Sequence, residues 1–369
     1  MNTTDFSSIQ PYTDQQAVEA LARLVANPFF AQVTQRLNPD ADIDEVRATI
    51  LSCQSIQQFH ERVVFPYVRF IVKSTMTQLT TSGFEQLNAD TQYLFVANHR
   101  DITLDAALLD MLLIRYNLPV PEISFGDNLI ANSFVADLIK VNRMFPVARG
   151  GSRREFFESS MLLSNYIRHV LTRKGRSVWI AQRSGRTKDG NDRTEPGLLK
   201  MLSLSSSDDF VASMDQLHIV PLAISYEYEP CADRKVAELS IIQSEGAYHK
   251  APGEDVESVL QGVLQPKGSV HMAVCKPISV EELQAIADQE RPEDCKESKA
   301  NYCYTLLAQL IDQRIHQNYK IHPTNQRAYD IRQGLLPNND PMFPDPLTLS
   351  LYATPVANKL KYEKESQSD

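Results

Sequence analysis

The sequence has few cysteines and no long apolar run. Its five cysteines are scattered through 369 residues without a CxxC pair, which argues against a disulfide framework and indicates reduced thiols. No stretch approaches the ~18 consecutive apolar residues of a membrane span. The opening MNTTDFSSIQPYTDQQ lacks the basic and apolar segments of a signal peptide. We therefore expect a cytoplasmic protein whose contact with lipid, if any, is peripheral and on the inner face of the membrane.

The chain carries more negative than positive charge and few metal-binding patterns. The formal net charge is −9, which argues against general nucleic-acid binding because such domains are basic. The eight histidines include no HExxH or similarly paired spacing, and KDGNDRTEP lacks the regular oxygen ligands of a calcium loop. We expect neither a metal ion nor a nucleic-acid partner.

The order of apolar segments predicts an α/β fold. Strand and helix patterns alternate between residues 90 and 230, which is typical of a mixed, largely parallel sheet flanked by helices. Apolar residues at three- and four-residue spacing predict a helical N-terminal region over 1–80. The α/β domain is placed at 81–276, further helices at 277–330, and a proline-rich tail without regular structure at 331–369.

One histidine stands out in the segment ANHRDITLDAALLD. The strand YLFVA ends just before His99 and a helix begins near Thr103, so His99 is expected at the carboxyl end of a strand, where open α/β sheets hold ligands. Asp105, in the first helical turn, could orient the ring and make it a general base. Asp101 is a competing orienter or a helix cap. Asp110 is expected to be solvated.

Two other interpretations of this segment compete with a general base at His99. HRD also opens the catalytic loop of protein kinases, but the sequence has no glycine-rich loop upstream and no DFG downstream. The second is that His99 is simply a hydrogen-bonded residue in a turn. A lone histidine favours that view, so the choice depends on the rest of the domain.

Five segments, one of which contains His99 itself, decide between them, and they occur in a fixed order: SGFEQL, YLFVANHRDITLD, VNRMFPVAR, VWIAQRSGRTKDGNDRT and IVPLAISYE. Together they resemble the motif blocks of the glycerol-phosphate acyltransferase superfamily, and HRDI with WIAQR resembles a bacterial branch of it. The resemblance covers about residues 80 to 230. It implies the α/β fold of that superfamily, with a mixed, largely parallel sheet flanked by helices. It also implies an O-acyltransferase that uses an acyl thioester as its co-substrate and needs no cofactor.

The resemblance also implies roles for single residues. His99 and Asp105 match the catalytic histidine and aspartate, although their spacing is six residues where the family has five. Arg149 matches the arginine that holds the acceptor phosphate. Pro221, in the fourth block, would shape the wall beside the site.

The third block departs from the family pattern. Gly185 and Arg186 match its glycine and arginine, but Ser184 stands where the family has a glutamate that is thought to orient the acceptor. The identity of the acceptor is therefore less secure than the class of reaction.

The distribution of charge supports an anionic ligand independently of the resemblance. Between Arg143 and Arg193 twelve basic residues face only four acidic ones, in a chain with a net charge of −9. Guanidinium groups suit phosphate because their planar fork matches its oxygens. We expect the basic residues in loops after strands to bind substrate: Arg149, Arg183, Arg186 and Lys188.

The predicted reaction moves a fatty acyl group from acyl-CoA or an acyl carrier protein to a hydroxyl of glycerol-3-phosphate or 1-acylglycerol-3-phosphate. The alternatives are an acyltransferase for a different lipid acceptor and an inactive protein that binds anions or lipids. The segment RVVFPYVRFIVKS, residues 62 to 74, would place cations on one helix face and apolar residues on the other. It is either a lipid-interface helix or a buried domain helix with a basic edge.

Overall fold

A computed structural model describes residues 4–130 and 132–365. Its strands are β1 Met76–Ser82, β2 Leu94–Ala97, β3 Glu122–Gly126, β4 Met144–Val147, β5 Val178–Ala181, β6 Ile219–Tyr226 and β7 Gly268–Val274. Its helices are α1 Asp14–Ala26, α2 Phe29–Leu37, α3 Ile43–Leu51, α4 Ile56–Phe59, α5 Phe65–Thr75, α6 Leu104–Arg115, α7 Ser133–Val141, α8 Arg153–His169, α9 Pro196–Ser203, α10 Phe210–Asp215, α11 Ala232–Glu245, α12 Glu254–Leu264, α13 Val280–Asp288, α14 Lys299–Asn318, α15 Pro323–Arg332 and α16 Pro346–Glu365.

The seven strands of the described chain form one sheet, in the order β1-β7-β6-β2-β5-β3-β4. Every neighbouring pair is parallel except β6 and β7, so β1 and β7 run opposite to the other five strands. The carboxyl ends of β2, β3, β4, β5 and β6 therefore meet at one edge of the sheet. The prediction of a mixed, largely parallel sheet flanked by helices is confirmed.

Strand β2 lies in the middle of the sheet and is buried on both faces. Leu94 and Val96 point into a core shared with α8, α9 and α14, whereas Phe95 and Ala97 point into a core shared with α5 and α6. This alternation follows from the two-residue period of a strand, and it explains why LFVA has no polar residue. Helices pack on both faces of β2 and thus fix the position of the strand end that His99 follows.

The ends of the chain differ from the predicted boundaries. The helical region predicted at 1–80 packs α1 to α4 around a separate core that also includes Val141 of α7, but β1 crosses the predicted boundary and joins the sheet beside β7. The prediction of an unstructured tail over 331–369 was wrong for 346–365, which form α16. That helix packs on α15 through Leu351, Tyr352 and Ala353, contacts that sequence periodicity did not reveal.

The segment at 62–74 contributes to the domain core. Val68 and Ile71 of α5 are buried in the core beneath the sheet, while Arg69 and Lys73 are exposed. This placement favours the domain helix with a basic edge. Across residues 4–130 and 132–365, no helix has both the length and the apolarity needed to cross a bilayer.

The expectation that Asp110 is solvated was wrong. Asp110 belongs to α6 and is only 7% exposed. Its Oδ1 has no hydrogen-bond partner among the described residues. Burial raises the pKa of Asp110 to about 8, although the charge of Arg143 opposes this rise. The folded protein therefore takes up a proton that the unfolded chain releases near pH 4.

We expect Asp110→Asn to stabilise the protein, by an amount that grows with pH. The folded-state pKa exceeds the unfolded one, so the wild type loses stability as pH rises from about 4 towards 8, by up to about 1.4 kcal/mol per pH unit. Chemical unfolding at pH 5, 6 and 7 measures the difference, with the exposed Asp215→Asn as the control. A gain that does not change with pH would contradict this assignment.

Candidate active site

The site begins at the carboxyl end of β2, where the side-chain amide of Asn98 makes the hydrogen bonds that a strand backbone would make to β6. Its side-chain amide donates to the carbonyl of Ile224 at 3.0 Å, and its side-chain oxygen accepts from the backbone N–H of Ile224 at 2.8 Å. Asn98 thus pairs with β6 as a strand residue would, although the main chain is already turning away. The turn presents His99 at the edge of the sheet.

His99 is held by the aspartate that the sequence predicted. Its Nδ1 lies 2.9 Å from Oδ2 of Asp105, and the ring packs edge-on against Trp179. An ionised carboxylate only accepts hydrogen bonds, so Nδ1 carries the hydrogen and Nε2 keeps its lone pair. Among the described residues Nε2 has no hydrogen-bond partner. The ring is therefore oriented to accept a proton at Nε2.

Asp101, the competing orienter, caps the helix instead. Its Oδ1 accepts from the backbone N–H groups of Thr103 and Leu104 at 2.8 and 2.7 Å, at the start of α6. Burial and the nearby charge of Asp105 raise the pKa of Asp101. The extra residue in this turn is accommodated because the backbone N–H groups of Arg100 and Asp101 also donate to Asp105, at 2.7 and 3.0 Å.

A buried network of four charges lies behind the histidine. Arg100 donates to Asp192 at 2.6 Å and to Glu229 at 3.2 Å, and Lys235 of α11 donates to Glu229 at 2.6 Å. All four side chains are almost inaccessible to solvent. Two positive and two negative charges cancel, which is the condition under which buried ions are tolerated. The network joins the histidine turn to the loop after β5 and to α11.

The loop after β5 carries most of the predicted basic residues, and it is fastened to the histidine itself. The backbone N–H of Thr187 donates to the carbonyl of His99 at 2.8 Å, and the Thr187 hydroxyl donates to Asp192 at 2.6 Å. Arg186 therefore lies next to a residue bonded to the histidine. Arg183 and Arg186 each have one buried nitrogen, Nε and Nη1 respectively, without a partner in the described chain.

Glycines give this loop its path. Gly185 has a φ of +75°, a left-handed conformation that favours glycine, and no neighbour restricts the space beside it. Gly190 is required for another reason, since a Cβ there would lie 2.3 Å from the carbonyl oxygen of Leu351 in α16. Ser184, at the position of the family glutamate, is exposed.

The other predicted binding residues lie in different surroundings. Arg149, two residues after β4, is exposed, and its guanidinium fills the space above Gly126 at the end of β3. Lys188 is paired with Glu238 of α11 at 2.8 Å, which favours a role in holding the loop over a role in binding. Pro221 lies inside β6 in register with Val96, so it is below the edge of the sheet and not beside the histidine.

This arrangement agrees with what comparison with known proteins finds. A family model described as Acyltransferase matches residues 78–225, the part of the chain that contains the histidine turn and the arginine loop. Residues 78–225 are therefore similar to acyltransferases, the class of enzyme that the sequence motifs predicted.

Two curated proteins resemble the acyltransferase domain and its surroundings. The dihydroxyacetone phosphate acyltransferase of Bos taurus is 21% identical over 251 residues, which cover 63% of this chain and 35% of that protein. The one of Homo sapiens is 23% identical over 193 residues, covering 51% and 26%. The chain thus spans about a third or less of the length of these relatives.

Among solved structures, the 1-acyl-sn-glycerophosphate (LPA) acyltransferase PlsC of Thermotoga maritima is similar with a TM-score of 0.39 and 10% identity. The match covers 83% of this chain and 97% of that one.

Sequence reasoning missed several residues of the acyltransferase domain and its neighbourhood. Arg100, Asp192, Glu229 and Lys235 form the charge network, and Tyr226 donates to Asp105. Arg100 and Asp192 lie inside the quoted motif blocks, so their charge beside buried strands was a signal. Glu229 and Lys235 gave none, because Arg100, which both of them contact, is more than a hundred residues away.

We expect Asp192→Asn to destabilise the protein by about 3–5 kcal/mol, since it leaves a buried Arg100 with too little negative charge around it. Urea unfolding measures the loss. Glu158→Gln, which breaks the exposed pair between Arg154 and Glu158, is the control and should cost about 0.5 kcal/mol or less. Equal small losses for both variants would show that the buried network contributes little.

Proposed function

We propose that the protein is an O-acyltransferase. It transfers a fatty acyl group from acyl-CoA or an acyl carrier protein to a hydroxyl of glycerol-3-phosphate or 1-acylglycerol-3-phosphate, for phospholipid synthesis. The observation that carries this proposal is the bond from Thr187 to the carbonyl of His99, because it brings the arginine loop beside a histidine already held by Asp105. A phosphate and a reacting hydroxyl of one small molecule would lie within reach of both.

The proposed chemistry needs only the thioester and the acceptor. Nε2 of His99 takes the proton of the acceptor hydroxyl, and the resulting alkoxide attacks the thioester carbonyl. The tetrahedral intermediate, its oxyanion stabilised by backbone N–H groups, then expels the thiolate, which recovers the proton from the imidazolium. Direct transfer needs no covalent acyl-enzyme, and no cofactor is proposed.

The arginines are proposed to bind phosphate. Arg183 and Arg186 keep unpartnered nitrogens at buried positions, a costly arrangement that an anionic ligand would relieve. Arg149 is proposed to contact the acceptor phosphate from the end of β4. Both proposed donors and both proposed acceptors are phosphorylated, so a single basic edge can serve either substrate.

We also propose that the protein is cytoplasmic and contacts the inner face of the membrane peripherally. Residues 149–158 are all exposed, and they include Phe156 and Phe157, each more than half exposed, close to Arg153. Aromatic and cationic side chains on one exposed helix end suit an anionic lipid surface. Co-sedimentation with anionic vesicles measures this contact.

The second candidate function is acyl transfer to a lipid acceptor other than a glycerol phosphate. Ser184 replaces the family glutamate and is exposed in the arginine loop, which favours an acyltransferase that acts on a different lipid hydroxyl or amine. An inactive protein that keeps the anion site is the remaining alternative. Mass-spectrometric profiling of acceptors with several thioester donors separates the three.

We expect His99→Ala to reduce kcat/KM by about 10²–10⁴-fold, because the general base is lost. The assay follows acyl transfer from acyl-CoA to glycerol-3-phosphate and to its 1-acyl derivative. The exposed His249→Ala is the matched control and should retain full activity. If the wild type transfers acyl groups and His99→Ala does so equally well, the proposed mechanism is wrong.

We expect Arg186→Gln to raise the KM for the phosphorylated acceptor by about 10-fold or more, since a hydrogen bond to a charged group contributes roughly 1.5–3 kcal/mol. The effect should diminish when the acceptor lacks phosphate. Arg47→Gln, on the remote helix α3, is the control. An unchanged acceptor KM would remove Arg186 from the binding site.

A further inference from the structure

Tyr226 occupies a position that neither the sequence motifs nor the proposed mechanism assigns. It is the last residue of β6, it is 1% exposed, and its ring belongs to the core beneath the sheet. Its hydroxyl donates to Oδ1 of Asp105 at 2.9 Å. Strand β6 neighbours β2, so the parallel sheet delivers this hydroxyl to the same edge as the histidine.

The donors to Asp105 are divided unequally between its two oxygens. Oδ2 accepts from Nδ1 of His99 and from the backbone N–H groups of Arg100 and Asp101. Oδ1 accepts from Tyr226, and no other donor to it is found among residues 4–130 and 132–365. Tyr226 is therefore the group that satisfies the second oxygen of this buried carboxylate.

We propose that Tyr226 is a positioning residue, which fixes the plane of the Asp105 carboxylate so that Oδ2 faces the histidine. This inference rests on the proposed function, in which His99 is the base. A buried carboxylate with one unpaired oxygen would gain by rotating towards another donor. Rotation would misalign the bond that orients the imidazole, and the lost donor would leave more negative charge on the carboxylate.

The environment keeps Tyr226 in the role of donor. Burial, followed by the negative charge of Asp105, raises the pKa of the Tyr226 hydroxyl well above its ordinary value. The hydroxyl therefore remains protonated throughout the pH range in which a histidine base works. The hydrogen bond is present whenever the carboxylate is ionised.

The test is Tyr226→Phe, which removes one oxygen atom and leaves the packed ring. We expect kcat to fall by about tenfold while the KM of both substrates stays within about twofold, because the lost bond acts through Asp105 and not on substrate. The acidic limb of the pH profile of kcat/KM should move to higher pH, since an Asp105 with one donor fewer favours the imidazolium. Unchanged kcat and an unchanged pH profile would overturn the proposal.

Tyr166→Phe is the matched control. Tyr166 is equally buried, and its hydroxyl donates to the buried carboxylate of Glu122 at 2.5 Å. Glu122 begins β3, so this bond lies at the amino end of a strand, on the opposite edge of the sheet from His99. Both variants should lose similar thermal stability, but only Tyr226→Phe should change kcat and the pH profile. If Tyr166→Phe changes them equally, the effect of Tyr226 is structural.

A fluorinated tyrosine at position 226 gives a second, independent measurement. It keeps the ring and the hydroxyl but donates a stronger hydrogen bond, so the acidic limb should move to lower pH. This variant carries the test if Tyr226→Phe fails to fold, and a shift in the wrong direction counts against the proposal. Full activity of His99→Ala would refute the proposed function. If only the Tyr226 variants leave kcat and the pH profile unchanged, this inference alone is refuted.

Discussion

The guanidinium of Arg100 lies between Asp192 and Glu229, out of contact with solvent and one residue after the histidine of the site. A buried cation must keep its anions, so the turn after β2, the loop after β5 and the segment after β6 have to stay together. Lys235 completes the network by donating both to Glu229 and to the carbonyl of Arg100. The position of His99 is thus determined by charges that take no part in the proposed reaction.

The direction of the strands explains how an acidic chain can offer a basic edge. Five parallel strands end at the same side, and the loops that follow β4 and β5 carry Arg149, Arg183 and Arg186. The acidic residues of the histidine turn are directed inward, where Asp105 holds the ring and Asp101 caps α6. Local charge at the site is therefore set by topology, and the net charge of the chain says little about it.

Much of this architecture could be predicted from periodicity and motif order. The strands β2, β4, β5 and β6 are apolar runs, and the bond between His99 and Asp105 followed from a strand-to-helix turn. Strand β1 was missed because it is an edge strand, MTQLTTS, with few buried positions. Strand β3 begins with Glu122, which is buried only because Tyr166 and Lys174 donate to it. Such partners, distant in sequence, leave no local pattern, and the same holds for Tyr226 and Glu229.

The contact between Gly190 and Leu351 joins two parts of the chain that are far apart in sequence. During synthesis the arginine loop leaves the ribosome long before α16 is made, and closing so large a loop is entropically unfavourable until the intervening domain has folded. The nascent chain can therefore form its sheet, its histidine turn and its buried charge network while Gly190 is still uncovered. The part of the arginine loop around Gly190 would reach its final packing last.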